Sequence, residues 1–181
     1  MTGTEWGVLG GAFLGGAFPW LEAIVVIPAG ILGGAPPVLV VIFALVGNLI
    51  TVGIAAYFGE QIREKWRLRR EAKHLAVHHP ELTKAELRDK GREILAAKDA
   101  QPTRIKRIMT KWGLPGLAIL GPVGLGTQLS AVTAVAMGVR ARSAFVWVGI
   151  GTALWAITAG VVTVYGISFF DGQSVSVELT F

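Results

Sequence analysis

The sequence predicts an all-α integral membrane protein made of two inverted repeats, each a re-entrant helical hairpin followed by one transmembrane helix. Three observations predict this fold. Of the 181 residues, 52% are apolar and only 16% are charged, and the mean hydropathy of +0.58 is too high for a soluble globular domain. Fifteen of the 17 Lys and Arg residues lie in one segment, 60–111. The apolar blocks on either side of that segment resemble each other.

The charge boundaries divide the chain into four parts. We predict a first membrane repeat at 1–59, a charged cytoplasmic helical linker at 60–111, a second membrane repeat at 112–170 and a polar tail at 171–181. Within the first repeat the hairpin is expected at 7–32 and the transmembrane span at 38–58. Within the second repeat the hairpin is expected at 113–137 and the span at 144–167.

The span and the hairpin of each repeat differ in their content of helix-breaking residues. Segment 38–58 holds no charge and would be about 31 Å long as a helix, enough to cross a bilayer. Segments 7–32 and 113–137 instead contain prolines and glycines in mid-segment, which predicts two short arms joined by a turn. Irregular backbone inside a membrane must face protein or a wet cavity, so both hairpins should face the protein interior. The predicted hairpin breakers are Pro19, Pro28, Pro122 and Gly126.

The distribution of positive charge predicts the orientation. The basic segment 60–111 should be cytoplasmic, because Lys and Arg concentrate on that side of membrane proteins. A complete crossing by 113–137 would place Arg140 and Arg142 outside, whereas a hairpin keeps them inside. Both termini then lie outside, and the two repeats have opposite orientation, as in many secondary transporters. Sliding the first block by 106 positions places Glu22 on Gln128, and a one-residue slip then places Gly33 on Gly138.

The charged linker carries its own helix signals. Thr83 and Glu86 form a capping box, and Leu87, Ile94 and Leu95 continue one apolar stripe. This pattern predicts an amphipathic helix lying on the cytoplasmic membrane surface. Basic residues near the membrane entry are expected to contact anionic lipid headgroups, the alternative being that they only determine topology. These residues are Arg104, Lys106, Arg107, Lys111, Arg140 and Arg142.

Glu22 is the first candidate for a functional group. It is the only acidic or basic residue between positions 6 and 59, and an ionisable group inside a membrane is a functional hypothesis by default. Burial would raise its pKa, which would make it a proton carrier near neutral pH. The alternative is a carboxylate that only caps backbone amides at a hydrated hairpin tip.

Uncharged polar residues complete the predicted substrate or proton site. Gln128 occupies the position that matches Glu22 in the second repeat, and Thr127 and Ser130 offer further hydrogen-bonding groups. Asn48 either lines the same cavity or bonds a neighbouring helix, and the sequence leaves both alternatives open.

Two runs of residues carry a family resemblance. The run FPWLEAIVVIPAGILGGAPPVLVVIFALVGN (18–48) has a proline, a glutamate, an Ile-Pro, a Gly-x-Pro and a Gly-Asn in order, and it resembles the first signature of the small multi-drug export protein family. The run KWGLPGLAILGPVGLGTQLSAVTAVAMG (111–138) is similar to the second signature. More distantly the chain resembles the DedA and VTT-domain superfamily, which implies facing re-entrant hairpins and proton-dependent lipid-carrier transport or lipid scrambling. The arginine expected of DedA proteins is missing from 121–128, and Glu22 alone matches their ionisable groups.

These observations predict a cytoplasmic-membrane transporter that moves a small amphiphile, a drug-like molecule or a lipid headgroup, with proton coupling through Glu22. A non-transporting subunit of a larger membrane complex and a lipid scramblase are the alternatives. Nucleophile elbows, phosphate-binding loops and paired carboxylates are missing from the sequence, so we expect no enzyme activity and no cofactor. With zero cysteines, we expect no metal site. The expected partners are membrane lipids and a second copy or a larger membrane complex, and not nucleic acid, because the basic charge belongs to one segment.

Overall fold

The computed structural model describes residues 2–18, 21–100, 113–124 and 126–178, and it is helical over most of them. Two helices are long and apolar enough to cross a membrane, the third helix and the Ala141–Phe169 part of the last. In chain order the helices are α1 (Gly3–Ala17), α2 (Glu22–Leu32), α3 (Pro37–His78), α4 (Lys84–Ala100), α5 (Leu114–Gly124), α6 (Thr127–Ala136) and α7 (Ala141–Glu178).

Large apolar side chains cover the outside of the two long helices, and small residues fill the inside. On α3 the exposed stripe repeats every four residues, while the inward face consists largely of small and polar groups. A soluble protein has the reverse arrangement, because water disfavours a continuous apolar surface. Close packing through small residues is typical of helices in lipid. The outward residues of α3 are Val38, Ile42, Val46, Ile50 and Ile54, and the inward ones include Ala44, Gly47, Asn48, Val52 and Ala56.

The described residues before and after α4 contain similar elements in the same order. In 2–78 and again in 113–178, two short helices precede one long helix, and a glycine with positive φ lies shortly before the long helix. These glycines are Gly34 (φ 85°) and Gly138 (φ 100°), which lie 104 positions apart. Gly33, which the sequence comparison placed on Gly138, is the residue just before Gly34 and does not have a positive φ.

The long helices α3 and α7 pack against each other in opposite directions. Gly53 on α3 lies against Phe145, near the beginning of α7. Close to the start of α3, Val41 lies against Gly160, far along α7. Contacts that advance along one helix and retreat along the other define an antiparallel pair.

Each pair of short helices shares an apolar cluster with a long helix. Leu114 at the start of α5 and Val135 at the end of α6 belong to a cluster with Val52 and Ala56 of α3. The start of α5 and the end of α6 therefore pack into the same core. In the first half, Leu9 in the middle of α1 and Ile31 near the end of α2 share a second cluster with Val40 and Ala156.

Helix α3 begins where the sequence predicts a span but does not end at Phe58. It continues to His78 and is 42 residues long. The residues beyond Phe58 are largely good helix formers. The helix stops after His78, because the next residue, His79, precedes Pro80, and a proline disfavours helical backbone in the residue before it. The boundary between apolar and charged residues therefore does not interrupt the helix.

Helix α4 packs along this extension of α3. Leu87 of α4 and Leu75 of α3 are buried, and Gly91 lies against Leu68. The predicted apolar face of α4 is thus in contact with α3, which corrects the expectation that it lies on the membrane surface. Two ion pairs flank the contact, Arg67 with Asp99 and Lys98 with Glu71, each with an N–O distance of 3.0 Å.

The predicted capping box at the start of α4 is confirmed. The Thr83 backbone N–H donates to Glu86 Oε2 at 2.8 Å, and the Glu86 N–H donates back to Thr83 Oγ1 at 3.4 Å. A second capping box, which the sequence analysis missed although it has the same spacing, lies between Thr2 and Glu5 at the start of α1.

Two of the prolines predicted to break hairpins lie inside helices. Helix α2 continues through Pro28, and α5 extends past Pro122 to Gly124. A proline removes one backbone hydrogen bond and kinks a helix, but packing on both sides of it can keep the helix continuous. In α2 the buried residues Ile27 and Ile31 supply that packing. The helix ends that precede the two predicted hairpin turns are Ala17, the end of α1, and Gly124, the end of α5.

Candidate functional site

Asn48 is the centre of a buried polar cluster. Its side chain is 0% exposed, and its amide nitrogen donates to the Gly16 carbonyl oxygen at 3.2 Å and to Thr127 Oγ1 at 3.0 Å. Gly16 is one residue from the end of α1, and Thr127 is the first residue of α6. One amide group on α3 therefore bonds the inner end of a short helix from each half of the chain.

The cluster continues from Asn48 as a chain of hydrogen bonds. Thr127 Oγ1 donates to Gln128 Oε1 at 2.9 Å, and Gln128 Nε2 donates to Thr51 Oγ1 at 3.1 Å. Thr51 Oγ1 in turn donates to the Asn48 carbonyl oxygen at 2.9 Å. These bonds return to the residue where they began. Helices α3 and α6 are thus joined by a closed ring of uncharged groups.

Glycines allow α1 and α3 to approach closely enough for the Asn48 amide to reach Gly16. The Cα of Gly47 faces the Phe13 carbonyl oxygen, and the Cα of Gly16 faces the Ala44 carbonyl oxygen. A methyl group at either glycine would overlap a backbone oxygen. The second half repeats this contact, because Gly151 on α7 faces the Ala118 carbonyl oxygen of α5, and Gly151 lies 104 positions after Gly47.

A tight turn directs the start of α6 toward Asn48. Gly126 adopts φ 85°, a conformation that is strained for residues with a side chain, and its N–H donates to the Gly121 carbonyl oxygen at 2.8 Å. Gly121 also lies against the Ser130 hydroxyl. The turn thereby brings α5 and α6 together and leaves Thr127 at the inner end of the pair.

Asn48 Oδ1 is buried without a hydrogen-bond partner, and so is Ser130 Oγ, one turn after Thr127 on α6. The orientation of the Asn48 amide follows from its neighbours, since the Gly16 carbonyl can only accept and must face the NH₂ group. The carbonyl end of the amide is therefore the end left open. Buried polar atoms are nearly always paired in proteins, so a water molecule or ligand group that reached either atom would gain a hydrogen bond.

Arg63 holds the other end of α6. Its Nη1 donates to the Val135 carbonyl oxygen at 2.7 Å, one residue before α6 ends at Ala136. A cation at a helix C-terminus meets the negative end of the helix dipole and an otherwise unsatisfied carbonyl. Helix α6 is therefore attached to α3 at both ends, by the Asn48 cluster and by Arg63.

The structure brings three of the predicted site residues together, namely Asn48, Thr127 and Gln128. Ser130 is buried one turn after Thr127 on α6 and lies against Gly121. Thr51 belongs to the same cluster but was missed, although it lies one turn after Asn48 on the same face of the helix. Arg63 was also missed, because its role depends on where α6 ends. For Asn48 the sequence left two alternatives, and the structure shows it bonding neighbouring helices.

The other predicted site residues lie elsewhere in the structure or outside its described part. Glu22 is the first residue of α2, but its side chain lies outside what the structure describes, as does Pro19 as a whole. Gly126 precedes α6, as described above. Arg140 and Arg142 are exposed, just before and just inside the start of α7. The other predicted lipid contacts lie outside the described residues: Arg104, Lys106, Arg107 and Lys111.

Comparison with known proteins identifies the family. A family profile described as "putative small multi-drug export protein" matches residues 22–158, which include the whole Asn48 cluster except Gly16. The chain belongs to this family. Its family name and the two membrane-capable helices indicate a membrane protein with a role in export. No curated protein and no solved structure matches the chain, so the distant resemblance of this export-family protein to DedA proteins stays a prediction.

The described part of this family member lacks the ligand clusters that metal sites require. Within 2–18, 21–100, 113–124 and 126–178, no three His, Asp or Glu side chains converge as metal ligands would. The described polar groups of the Asn48 cluster are all amides, hydroxyls and backbone carbonyls. Such groups can bind a solute by hydrogen bonds, but they cannot by themselves take up or release a proton near neutral pH.

Proposed function

We propose that the protein is a transporter of the cytoplasmic membrane that moves a small amphiphile, a drug-like molecule or a lipid headgroup through the Asn48 cluster. The observation that carries this proposal is the pair of hydrogen bonds from Asn48 to Gly16 and Thr127. They place a buried polar site where the two halves of the chain meet, with apolar surface around it. A transporter needs such a site near the middle of the membrane, between elements that can move relative to each other.

The proposal includes two re-entrant hairpins in opposite orientation. Helices α2, α5 and α6 have 11, 11 and 10 residues and α1 has 15, whereas about 20 residues are needed to cross a bilayer. The cluster that holds the start of α5 and the end of α6 favours a second hairpin that enters and leaves on one side. The antiparallel packing of α3 and α7 favours an inverted repeat. In this arrangement the segment 60–111 is cytoplasmic and both termini are outside.

In the proposed mechanism the substrate forms hydrogen bonds with Asn48 in place of those that Asn48 makes to the two hairpins. The bonds to Gly16 and Thr127 hold the inner ends of both hairpins on α3 and close the site. A substrate that offers hydrogen bonds of its own to Asn48 and Ser130 allows one hairpin to separate from α3, and the same bonds re-form after release. Binding can shift the equilibrium only as far as the substrate prefers the open state over the closed one.

Glu22 is the proposed coupling group. It begins α2 just as Thr127 and Gln128 begin α6, and it is the only acidic or basic residue between positions 6 and 59. A carboxyl can bind and release a proton, and an ionisable side chain within an apolar membrane block is often functional. We further propose that the basic residues at 104–111, Arg140 and Arg142 contact anionic lipid headgroups at the cytoplasmic surface.

The test is uptake of a fluorescent amphiphile into proteoliposomes that contain the purified chain and an imposed proton gradient. We expect Glu22→Gln to abolish gradient-driven uptake while the melting temperature stays unchanged, because the amide is nearly isosteric but cannot titrate. Asn48→Leu should also abolish uptake. Thr163→Val is the control, since Thr163 donates only to Ala159 on its own helix and lies outside the cluster. Wild-type uptake by the Glu22→Gln variant would remove Glu22 from the mechanism.

The same preparation separates the transporter from its two rivals. A lipid scramblase would move labelled phospholipid between leaflets without any proton gradient. A non-transporting subunit would show no flux alone and would copurify in mild detergent with a stoichiometric partner. Either result would overturn the proposed function.

A further inference from the structure

We infer that the substrate carries a hydrogen-bond-donating cation, such as a protonated amine, on an apolar body, and that anionic headgroups are excluded. This inference rests on the proposed function and names the substrate class of the Asn48 site. Two independent observations lead to it, the chemical nature of the atoms left open in the site and the distribution of charge around it.

The open atoms require a donor from the ligand. Both amide hydrogens of Asn48 are used, one by the Gly16 carbonyl and one by Thr127 Oγ1, so only its carbonyl oxygen is free to bind. That oxygen can accept a hydrogen bond but cannot donate one. The second open atom, Ser130 Oγ, can do both, and it lies on α6 one turn after Thr127. A ligand with acceptors alone would leave the Asn48 oxygen unpaired and buried, which is unfavourable.

The surrounding charge disfavours an anion. Neither Lys nor Arg occurs in the first 62 residues, and none occurs between Lys111 and Arg140, so the segments that form both hairpins carry no cation. Arg63 of α3 contacts α6, but it does so at the Val135 carbonyl near the C-terminus of α6, the end away from Thr127. A buried anion needs a paired positive charge, since desolvation of an unpaired ion is strongly unfavourable. The N-terminus of α6 supplies only about half of one positive charge. A buried cation, in contrast, has a carboxyl in the same block of sequence, Glu22.

Three probes that share one aromatic body test the headgroup: pyrenemethylamine, its trimethylammonium derivative and pyrenesulfonate. Their binding to the purified full chain in lipid nanodiscs is measured by pyrene fluorescence. We expect the amine to bind about tenfold more tightly than the trimethylammonium compound, the effect of one added hydrogen bond, and the sulfonate to bind most weakly. Tightest binding by the sulfonate, or no binding by any probe, would overturn the inference.

Ser130→Ala tests whether the open hydroxyl contributes. It removes a buried hydroxyl that has no partner, so a purely structural role predicts an unchanged or higher melting temperature and unchanged binding. We expect the preference for the amine over the trimethylammonium compound to fall about fivefold. Ser168→Ala is the matched control, because Ser168 is exposed and donates to Val164 on its own helix. An undiminished preference in Ser130→Ala would contradict the inference.

The binding experiment and the transport experiment can give negative results independently of each other. If nanodiscs show the expected preference but proteoliposomes show no uptake of any probe, the binding site stands and the transporter proposal fails. If proteoliposomes take up all three probes alike, transport stands and the inferred substrate class is wrong.

Discussion

Arg63 Nη1 lies 2.7 Å from the carbonyl oxygen of Val135, so a residue just beyond the apolar part of α3 caps the C-terminus of α6. Replacing Arg63 with Met removes the donor and the charge while keeping much of the apolar stem. We expect the variant to lose about 1–2 kcal/mol of stability, since a carbonyl at the negative end of a helix loses its partner.

Thermal unfolding in detergent measures this loss. Arg63→Lys retains a cation and should recover part of the stability, whereas Arg69→Met, at an exposed position on the same helix, should have little effect. Equal melting temperatures for Arg63→Met and Arg69→Met would show that the cap contributes nothing.

Gly151 and Gly166 provide a matched pair of substitutions on α7. A methyl group at Gly151 would overlap the Ala118 carbonyl oxygen, whereas a methyl group at Gly166 meets open space. We expect Gly151→Ala to lower stability by about 3 kcal/mol, because backbone atoms cannot move aside as a side chain can. Gly166→Ala should be neutral or stabilising by up to about 1 kcal/mol through helix propensity. Unfolding in SDS titrations compares the two, and effects of the same sign and size would argue against the described α5–α7 contact.

A cysteine at position 140 tests the re-entrant second hairpin. The chain has no cysteine, so a single introduced thiol can be labelled without background. We expect Arg140→Cys to react with a membrane-impermeant maleimide only from the cytoplasmic side, together with Lys90→Cys and opposite to Thr4→Cys. A chain with four complete spans would instead label position 140 from the side opposite to position 90, and position 4 from the same side as position 90.

The α4 capping box should make the start of that helix sensitive to acid. The Thr83 backbone N–H, and secondly the Thr83 hydroxyl, hold the pKa of Glu86 below its ordinary value of 4.5. A carboxyl whose pKa is lowered by folding stabilises the folded state above the unfolded pKa, and this contribution is lost as the pH falls through the folded pKa. The loss is therefore expected below pH 4.5.

Hydrogen exchange at the first amides of α4, followed from about pH 6 to about pH 3, measures this loss of protection. Glu86→Gln keeps an oxygen that can accept from Thr83 but cannot titrate, so its relative protection should not change across this range. Parallel pH profiles for wild type and Glu86→Gln would contradict the assignment.

The sequence was informative where a local pattern determines the structure. Apolar stretches without charge predicted where α3 and α7 begin, and the Thr83–Glu86 spacing predicted a cap that depends on residues three positions apart. Asn48, Thr127 and Gln128 were predicted as site residues because polar groups are rare in these apolar blocks. Rarity alone points to function in a membrane, where each buried polar group needs a partner.

Features that depend on tertiary contact could not be predicted in the same way. The Arg63 cap requires knowing that α6 ends beside α3, more than 70 positions away in the sequence. The apolar stripe of α4 was assigned to the membrane surface, because the sequence does not say whether lipid or another helix covers it. Pro28 was assigned as a breaker from its intrinsic preference, which the packing of Ile27 and Ile31 overrides.

The unbroken course of α3 from Pro37 to His78 has a mechanical consequence. Asn48 and the part of α3 that packs against α4 belong to one continuous helix, and about 45 Å separate Asn48 from His78. If α3 pivots by roughly 10° about Asn48 when the site opens, its far end swings by about 8 Å. A spin label near His78 would therefore report a small pivot at Asn48 as a much larger displacement.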